Sequence, residues 1–99
     1  MSNIQISSPL LRKFVHTDAS VPTTFTQILG YAEMPSRRII VVIQNQSSTA
    51  AITIAMNSDA TTGIELQPGS IFSIDNYNGA IYAKGATSGV PVHIAISSI

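Results

Sequence analysis

Residues 37–44 read RRIIVVIQ, a run of β-branched side chains that is apolar on both faces of an extended chain. Branching at Cβ disfavours a helix and suits a pleated sheet, so the run predicts a β-strand. Because both faces are apolar, we expect a central strand that is buried on both sides or covered by a neighbouring subunit. The polar residues 45–49 predict the turn that ends this strand.

The next two segments predict strands with one buried face. Residues 50–56 alternate between the two faces of an extended chain. The side chains expected to point inward are Ala50, Ile52, Ile54 and Met56. A polar loop is expected at residues 57–63, and Ile64 and Leu66 are then expected to point inward from a short strand.

A second turn and strand follow directly. Pro68-Gly69 predicts a turn, because proline fixes φ and glycine accepts a positive φ. Residues 70–75 predict a strand with Phe72 and Ile74 on one face.

The last third of the chain predicts two more strands. Asn78-Gly79 suits a tight hairpin, because both residues tolerate positive φ, and it leads into a strand at residues 80–84. A turn at residues 85–89 precedes the final strand, residues 90–96. Its inward side chains are expected to be Val90, Val92, Ile94 and Ile96. Pro91 on its other face favours an edge position, because proline donates no backbone hydrogen bond.

Residues 37–97 thus hold about six predicted strands separated by turns, the pattern of an all-β domain. Two further strands are predicted at Leu10–Val15 and Thr24–Leu29, joined by a turn-rich link at His16–Thr23. A helix at Thr24–Ala32 is the alternative. The predicted fold is a small antiparallel β-sandwich or jelly-roll-like barrel of about six to eight strands.

The chain is short enough for one domain. Residues 1–9 are polar with scattered isoleucines and predict an extended N-terminal arm. Residues 10–99 predict a single β-sandwich domain, in which Met34-Pro35-Ser36 breaks the chain before the dense strand region.

The charge content sets the class of partner. Only 10% of the 99 residues are charged and the formal net charge is zero, against about 25% charged residues in an average soluble domain. A free monomer with so few charges lacks the repulsion that keeps small proteins dispersed. We infer that neighbouring subunits cover much of the surface; the alternative is a soluble domain with a hydroxyl-rich surface.

Several other classes of function are disfavoured. Phosphate binding requires a basic patch, but the five Lys and Arg residues form only two adjacent pairs, so no nucleic-acid partner is expected. No segment approaches the ~20 apolar residues of a membrane span, and no membrane partner is expected. Cysteine is absent, which excludes disulfides and thiolate metal sites within these residues. The first eleven residues lack a basic start and a long apolar run, so they do not resemble a signal peptide.

The groups that carry catalysis or bind metals are few and scattered. His93 is expected on the outer face of the last strand, and His16 lies at the end of a predicted strand; their spacing leaves open whether they meet. We interpret both as exposed histidines without a role. No acid pair, metal-ligand spacing or phosphate-binding loop is evident, so no catalytic residue, metal or cofactor is predicted.

Two sets of side chains are candidate partner contacts. The arm and its continuation carry apolar residues on a polar segment, which suits addition of a strand to a neighbouring sheet. These residues are Ile4, Ile6, Leu10, Leu11 and Phe14. An arm folded back on its own domain is the alternative. The exposed loop candidates are Asp59, Tyr77 and Asn78, and Tyr77 is the best placed aromatic for a ligand. Tyr82, on a strand, is interpreted as an aromatic that covers the sheet.

Residues 37–96 resemble a group of small β-sandwich virion proteins of tailed bacteriophages. In that group an arginine, a strand and an asparagine precede a Gly-x-x-Leu-x-Pro-Gly turn, and a Gly-x-Ile-Tyr-Ala strand and a Ser-Gly turn close the domain. The matching segments here are Arg38–Asn45, Ile52–Ile54, Gly63–Gly69, Gly79–Ala83, Ser88-Gly89 and Val92–Ile94. The residues before Arg37 do not match this pattern.

The resemblance implies a structural protein of the virion, made in a bacterial cytoplasm. The expected function is that of a capsid decoration or cement protein, which stabilises the shell by passive contacts with capsid or other virion proteins. A homo-oligomer, with a trimer favoured, is the expected state. The alternatives are a tail, connector or fibre-attachment protein, or a receptor- or carbohydrate-binding module; an enzyme is not expected.

Overall fold

A computed structural model describes residues 14–31 and 38–98. These residues form eight strands in two antiparallel sheets, which confirms the predicted all-β fold. The strands are β1 (Phe14–Val21), β2 (Thr26–Leu29), β3 (Arg38–Asn45), β4 (Ile52–Ala55), β5 (Ile64–Leu66), β6 (Ile71–Asp75), β7 (Ile81–Gly85) and β8 (Val90–Ser98). The described residues contain no helix that is long and apolar enough to cross a membrane.

The two sheets have the strand orders β1-β8-β3-β6 and β2-β7-β4-β5. Successive strands therefore alternate between the sheets, except for β4 and β5, which are neighbours in the second sheet. This order is that of a jelly roll, a sandwich of two interleaved Greek keys. Almost every connection consequently crosses from one sheet to the other, and residues far apart in sequence become neighbours in each sheet.

Residues 38–44 of the segment RRIIVVIQ form most of β3, which lies inside the first sheet between β8 and β6. Val41 and Ile43 are fully buried between the sheets, whereas Val42 and Gln44 on the outer face are half-buried. The predicted central position is confirmed, and the outer face is only partly covered.

The core follows the alternation that the sequence predicts for β4 and β8. The buried side chains between the two sheets include Ile52, Ile54, Ile81, Val90, Val92 and Ile94. Phe72 and Ile74 of β6 pack against this cluster, as their shared face predicts. Burial of these apolar groups provides the main stabilising term, at roughly 25 cal/mol per Å² removed from water.

The predictions for the first part of the chain need correction. His16–Thr23 is not a link: β1 runs through Val21 and pairs with β8 from Phe14↔Ser97 to Val21↔Val90. This long ladder outweighs the local turn signals, and Pro22 lies just beyond it.

The alternative helix at Thr24–Ala32 is also wrong, because residues 26–29 form β2, with a bulge between Gln27 and Leu29. Residues 1–13 and 32–37, including the predicted arm and the break at Met34-Pro35-Ser36, lie outside the described residues.

Asn78-Gly79 does not form a hairpin. β6 pairs with β3 and β7 pairs with β2 and β4, so the connection crosses between sheets. The residue with positive φ in this connection is Asn76, at 56°. A two-residue turn signal reports local conformation only, and it cannot specify the partner of the following strand.

Two positional expectations also differ from the structure. Pro91 does not mark an edge, because β8 lies between β1 and β3; the proline is tolerated at the second residue of the strand, where its carbonyl accepts a hydrogen bond from Gln46. Ile64 pairs with Ile54 but remains 48% exposed, because β5 is a short edge strand. Its neighbour Leu66 is buried as predicted.

Candidate functional site

The outer face of the first sheet brings together the two histidines and Asp18. In the register of β1 and β8, Asp18 lies opposite His93 and His16 lies opposite Ala95. Since Val92 and Ile94 are buried, the side chain of His93 points away from the core, to the face shared by His16 and Asp18. The small methyl group of Ala95 leaves His16 room to lean diagonally toward His93.

The three side chains form a hydrogen-bonded chain, which we call the His–His–Asp chain. Asp18 Oδ1 lies 2.7 Å from His93 Nδ1, and His93 Nε2 lies 2.8 Å from His16 Nδ1. The two imidazole centroids are 5.0 Å apart with an angle of 28° between the ring planes. With nitrogens this close, that centroid distance means that the rings meet end to end and do not overlap face to face.

The carboxylate determines how protons are arranged in this chain. Ionised Asp18 only accepts hydrogen bonds, so His93 Nδ1 carries a proton and donates it. When His93 is neutral, its Nε2 is an acceptor and receives the hydrogen bond from His16 Nδ1–H. The second nitrogen of His16, Nε2, then presents a lone pair away from the chain.

The His–His–Asp chain lies in an open part of the surface. The Asp18 side chain is 77% exposed and that of His93 is 29% exposed. The ring of Phe14 lies beside His16, with the centroids 6.4 Å apart. Among residues 14–31 and 38–98, no group of three or more His, Asp and Glu side chains is placed to hold a metal ion together.

Arg38 occupies a different, mostly buried place at the start of β3. Its guanidinium donates to the carbonyl oxygens of Gly79, at 2.9 Å, and of Gly30. Its backbone N–H donates to Asn78 Oδ1 at 2.8 Å. Burial lowers the pKa of Arg38, and the neighbouring Tyr77 opposes that shift. These contacts join the end of β2, the start of β3 and the crossing from β6 to β7, which is a structural role.

Tyr77 is less exposed than the sequence predicts. It is half-buried and packs against the core. Its hydroxyl donates to the Ala80 carbonyl at 2.7 Å, with the Met56 carbonyl 3.3 Å away. Burial raises the pKa of Tyr77, Tyr31 and Tyr82 raise it further, and Arg38 lowers it. The expectation of an exposed aromatic is therefore wrong, because the crossing between the sheets turns this side chain inward.

The other predicted contacts are dispersed. Asp59 is exposed in the loop after β4, and its Oδ1 accepts a 2.6 Å hydrogen bond from Asn57. Asn78 is exposed, but its side-chain oxygen is engaged by Arg38. Phe14 begins β1 and is 44% exposed. The four arm residues Ile4, Ile6, Leu10 and Leu11 lie outside the described residues.

Aromatic and charged side chains share the outer face of the second sheet. Tyr82 is half-buried there, and its hydroxyl lies 3.4 Å from Gln27 Oε1. The Lys84 ammonium lies 5.0 Å from the centroid of the Phe25 ring, within the range of a cation–π contact. The position of Tyr82 agrees with a tyrosine that covers its sheet.

The edges of the two sheets carry exposed apolar side chains, of which only Phe14 was singled out from the sequence. Within the described residues, β1, β6, β2 and β5 each pair with only one neighbouring strand. Large apolar side chains are exposed on three of these edge strands: Phe14 at 44%, Val15 at 56%, Ile64 at 48% and Ile71 at 60%. Period-two alternation places Ile64 on an inner face, so no local signal distinguishes an edge isoleucine from a core one.

Comparison with known proteins gives a structural likeness and no family. No protein-family model and no curated protein matches the chain. Among solved structures, a match is found in a study described as "Bacillus endospore appendages form a novel family of disulfide-linked pili". The TM-score is 0.59 with 18% sequence identity, over 98% of this chain and 96% of the other. At this identity the likeness concerns the fold: the chain shares its β-sandwich architecture with a subunit of a bacterial appendage.

Proposed function

We propose that this protein is a non-catalytic structural subunit that works by packing against other protein subunits. The observation that carries the proposal is the set of open edge strands, on which Phe14, Val15, Ile64 and Ile71 remain exposed. Soluble monomeric β-proteins commonly protect such edges with lysine, proline or inward-pointing charges. Here β1, β5 and β6 carry one acidic residue each and no lysine.

The low charge of the whole chain supports the same function. With 10% charged residues and a formal net charge of zero, copies of this protein repel one another only weakly. Contact between apolar edges is then opposed by little electrostatic free energy. A subunit that remains bound to neighbouring subunits in an assembly tolerates this low charge content.

The more specific proposal is a capsid decoration or cement protein of a tailed bacteriophage. Its support is the resemblance of residues 37–96 to small virion β-sandwich proteins, together with a jelly-roll topology, which is common in virion proteins. A protein that binds only the assembled shell stabilises it by mass action. Residues 4–14 would contact the shell or a neighbouring copy, in a homo-oligomer that we expect to be a trimer.

A subunit of an extracellular filament is the second candidate. It is favoured by the fold shared with the Bacillus appendage protein. That protein is described as disulfide-linked, whereas these 99 residues contain no cysteine. A filament of this chain would therefore be held together without disulfides between these residues.

The first experiment measures the mass of the purified full chain by light scattering at a low and a high concentration, followed by negative-stain electron microscopy. A closed oligomer, with a trimer expected, supports the decoration protein. Growth of filaments with concentration supports the second candidate. A monomer at both concentrations contradicts self-association through the edges.

A second experiment tests the virion proposal directly. Particles from cells that express the protein are purified, and its copy number is measured by quantitative mass spectrometry relative to the major capsid protein. Hundreds of copies per particle are expected for a decoration protein and only a few for a tail or connector part. Absence from every particle fraction, with the protein on surface filaments, would overturn the virion proposal.

A further inference from the structure

We propose that His16 and His93 form a surface binding site for a divalent transition-metal ion of tetragonal geometry, Cu(II) before Zn(II), with Asp18 holding His93 in place. The site lies on the outer face of the first sheet and is independent of the proposed structural function.

The separation of the two ring nitrogens suits neighbouring ligands on one metal. Metal–imidazole bonds are about 2.0–2.1 Å long, so two nitrogens at a right angle around a metal are about 2.9 Å apart, and at a tetrahedral angle about 3.4 Å. His16 Nδ1 and His93 Nε2 are 2.8 Å apart. This separation is the length of the hydrogen bond between the rings, and it is also close to the distance between neighbouring ligands in square-planar or tetragonal coordination, which is characteristic of Cu(II) and Ni(II).

Binding would replace the hydrogen bond between the rings. The ion would sit beside the line that joins the two nitrogens, so each ring must tilt to aim its lone pair at it. Asp18, whose side chain is 77% exposed, can follow the His93 ring and keep its hydrogen bond as that ring tilts. His16 is exposed on an edge strand, and its ring can tilt without displacing a core side chain. The proton that His16 Nδ1 donates in the free protein is released when the metal binds.

Asp18 prepares His93 as a ligand. A carboxylate that accepts the Nδ1–H bond of a histidine fixes the tautomer whose Nε2 lone pair is free, and it increases the basicity of that nitrogen. The 2.7 Å contact between Asp18 Oδ1 and His93 Nδ1 has this arrangement. Asp18 thus acts as a positioning residue and is not itself a ligand.

The remaining coordination positions are open to solvent. Two protein nitrogens leave positions for water, or for a donor group from another protein. An imidazole-only ligand set favours Cu(II) over Zn(II) by the general order of divalent affinities. No local sequence pattern predicts this site, since 77 residues separate the two histidines and only the β1–β8 register brings them together.

The test titrates the full-length protein with Cu(II) alone, as its sulfate in a non-coordinating buffer, and with Zn(II) in parallel. Calorimetry gives the affinity, and electron paramagnetic resonance reports how many imidazole nitrogens bind the copper. The variants are His16→Ala, His93→Ala and Asp18→Asn, with circular dichroism as the control for folding. His16→Gln and His93→Gln replace either alanine variant that loses its fold.

We expect the unchanged protein to bind Cu(II) at least about tenfold more tightly than either histidine variant, with coupling to two imidazole nitrogens. We expect Asp18→Asn to weaken binding about tenfold, by analogy with other carboxylate–histidine–metal arrangements. Equal Cu(II) affinity in the unchanged protein and both histidine variants would overturn the site. A Zn(II) affinity equal to that for Cu(II) would overturn the tetragonal geometry, and an unchanged affinity in Asp18→Asn would overturn the role of the carboxylate.

Discussion

At the scale of single residues, the polar side chains that bracket β3 stabilise the fold. Asn45 is fully buried, and its Nδ2 donates to the carbonyls of Ala50, at 2.8 Å, and Leu66, at 3.0 Å. Its Oδ1 accepts from the backbone N–H of Ser47 at 2.9 Å. Arg38 at the other end of the strand is held by the carbonyls of Gly30 and Gly79. The arginine and asparagine of the virion-like pattern are therefore explained by folding, without any ligand.

Replacement of Asn45 tests this role. Asn45→Ala leaves two buried carbonyls and one N–H without their partner, and we expect a loss of about 3 kcal/mol in the free energy of unfolding. The matched control is Gln44→Ala in the same strand. The Gln44 side chain is half-buried, and its Nε2 makes one long hydrogen bond, of 3.5 Å, to the carbonyl oxygen of Gly69. Urea unfolding measures both. Equal losses in the two variants would contradict a specific role for Asn45.

Ionisation of Tyr77 makes the free energy of unfolding depend on pH in the alkaline range. Burial is the largest cause of its raised pKa, so the folded protein holds the phenolic proton more tightly than the unfolded chain, where it is lost near the ordinary value of 10.0. This contribution to stability is complete below about pH 10 and is lost as the pH rises through the raised, folded-state pKa.

Tyr77→Phe is expected to lower stability by about 1 kcal/mol at neutral pH, through loss of the hydrogen bond to Ala80, and to reduce the alkaline loss of stability. The comparison variant is Tyr31→Phe: Tyr31 is 73% exposed, and its removal takes away only the smaller contribution that it makes to the raised pKa of Tyr77, leaving the burial that is the largest cause. Unfolding curves between neutral pH and pH 11 measure the effect. If the alkaline slope is the same in both variants, Tyr77 is not its source.

At the scale of elements, β4 and β5 form the one pair of consecutive strands that are neighbours in a sheet within the described part of the chain. Gly63 lies just before β5, and a Cβ on it would collide with the carbonyl oxygen of Ile54 and lie 2.9 Å from its carbonyl carbon. Because that carbonyl belongs to the strand β4, it cannot move without disturbing the pairing of Ile54 with Ile64. Glycine is thus required here by close approach of two backbones.

Gly63→Ala is expected to cost about 2 kcal/mol of stability and to weaken the β4–β5 pairing. Gly30→Ala is the control, because a Cβ there meets its nearest atom, Gln27 Nε2, at an ordinary 3.5 Å. Hydrogen exchange of the β4 and β5 amides locates the effect, and thermal unfolding gives its size. Full protection of these amides in Gly63→Ala would show that β4 absorbs the methyl group.

At the scale of the whole molecule, the surface for association is expected to include edge strand β6. Its Ile71 is the most exposed of the four large apolar side chains on the sheet edges. Ile71→Asp removes this side chain and adds a charge to the edge, so we expect it to shift the oligomer toward monomer at a given concentration. Sedimentation velocity measures the shift.

Ser73→Asp is the matched control for this change, because Ser73 lies two residues along the same strand on the same face and is exposed. Loss of association in both variants would identify the edge as the contact, with charge as the disrupting factor. Loss in Ile71→Asp alone would identify the apolar side chain. Unchanged association in both would exclude β6 from the interface.

The sequence by itself determined the all-β class, the position of β3, the inward faces of β4 and β8 and the turn at Pro68-Gly69, where φ of Gly69 is +80°. These features follow from local steric preference and period-two alternation, which are properties of neighbouring residues. Only the tertiary structure decided which sheet each strand joins, since turn signals at Asn78-Gly79 and a proline at position 91 say nothing about strand partners.

The candidate site, formed by His16, His93 and Asp18, was likewise decided only by the tertiary structure. Asp18 and His93 are 75 residues apart, and their contact depends on the register between the first and last strands. A shift of that register by one residue would place His93 on the opposite face from its partners, because side chains alternate along a strand. The outward position of Ile71 follows from its alternation with Phe72 and Ile74, but the burial of Tyr77 and the exposure of Ile64 were likewise decided by where the jelly roll crosses between sheets and where each sheet ends.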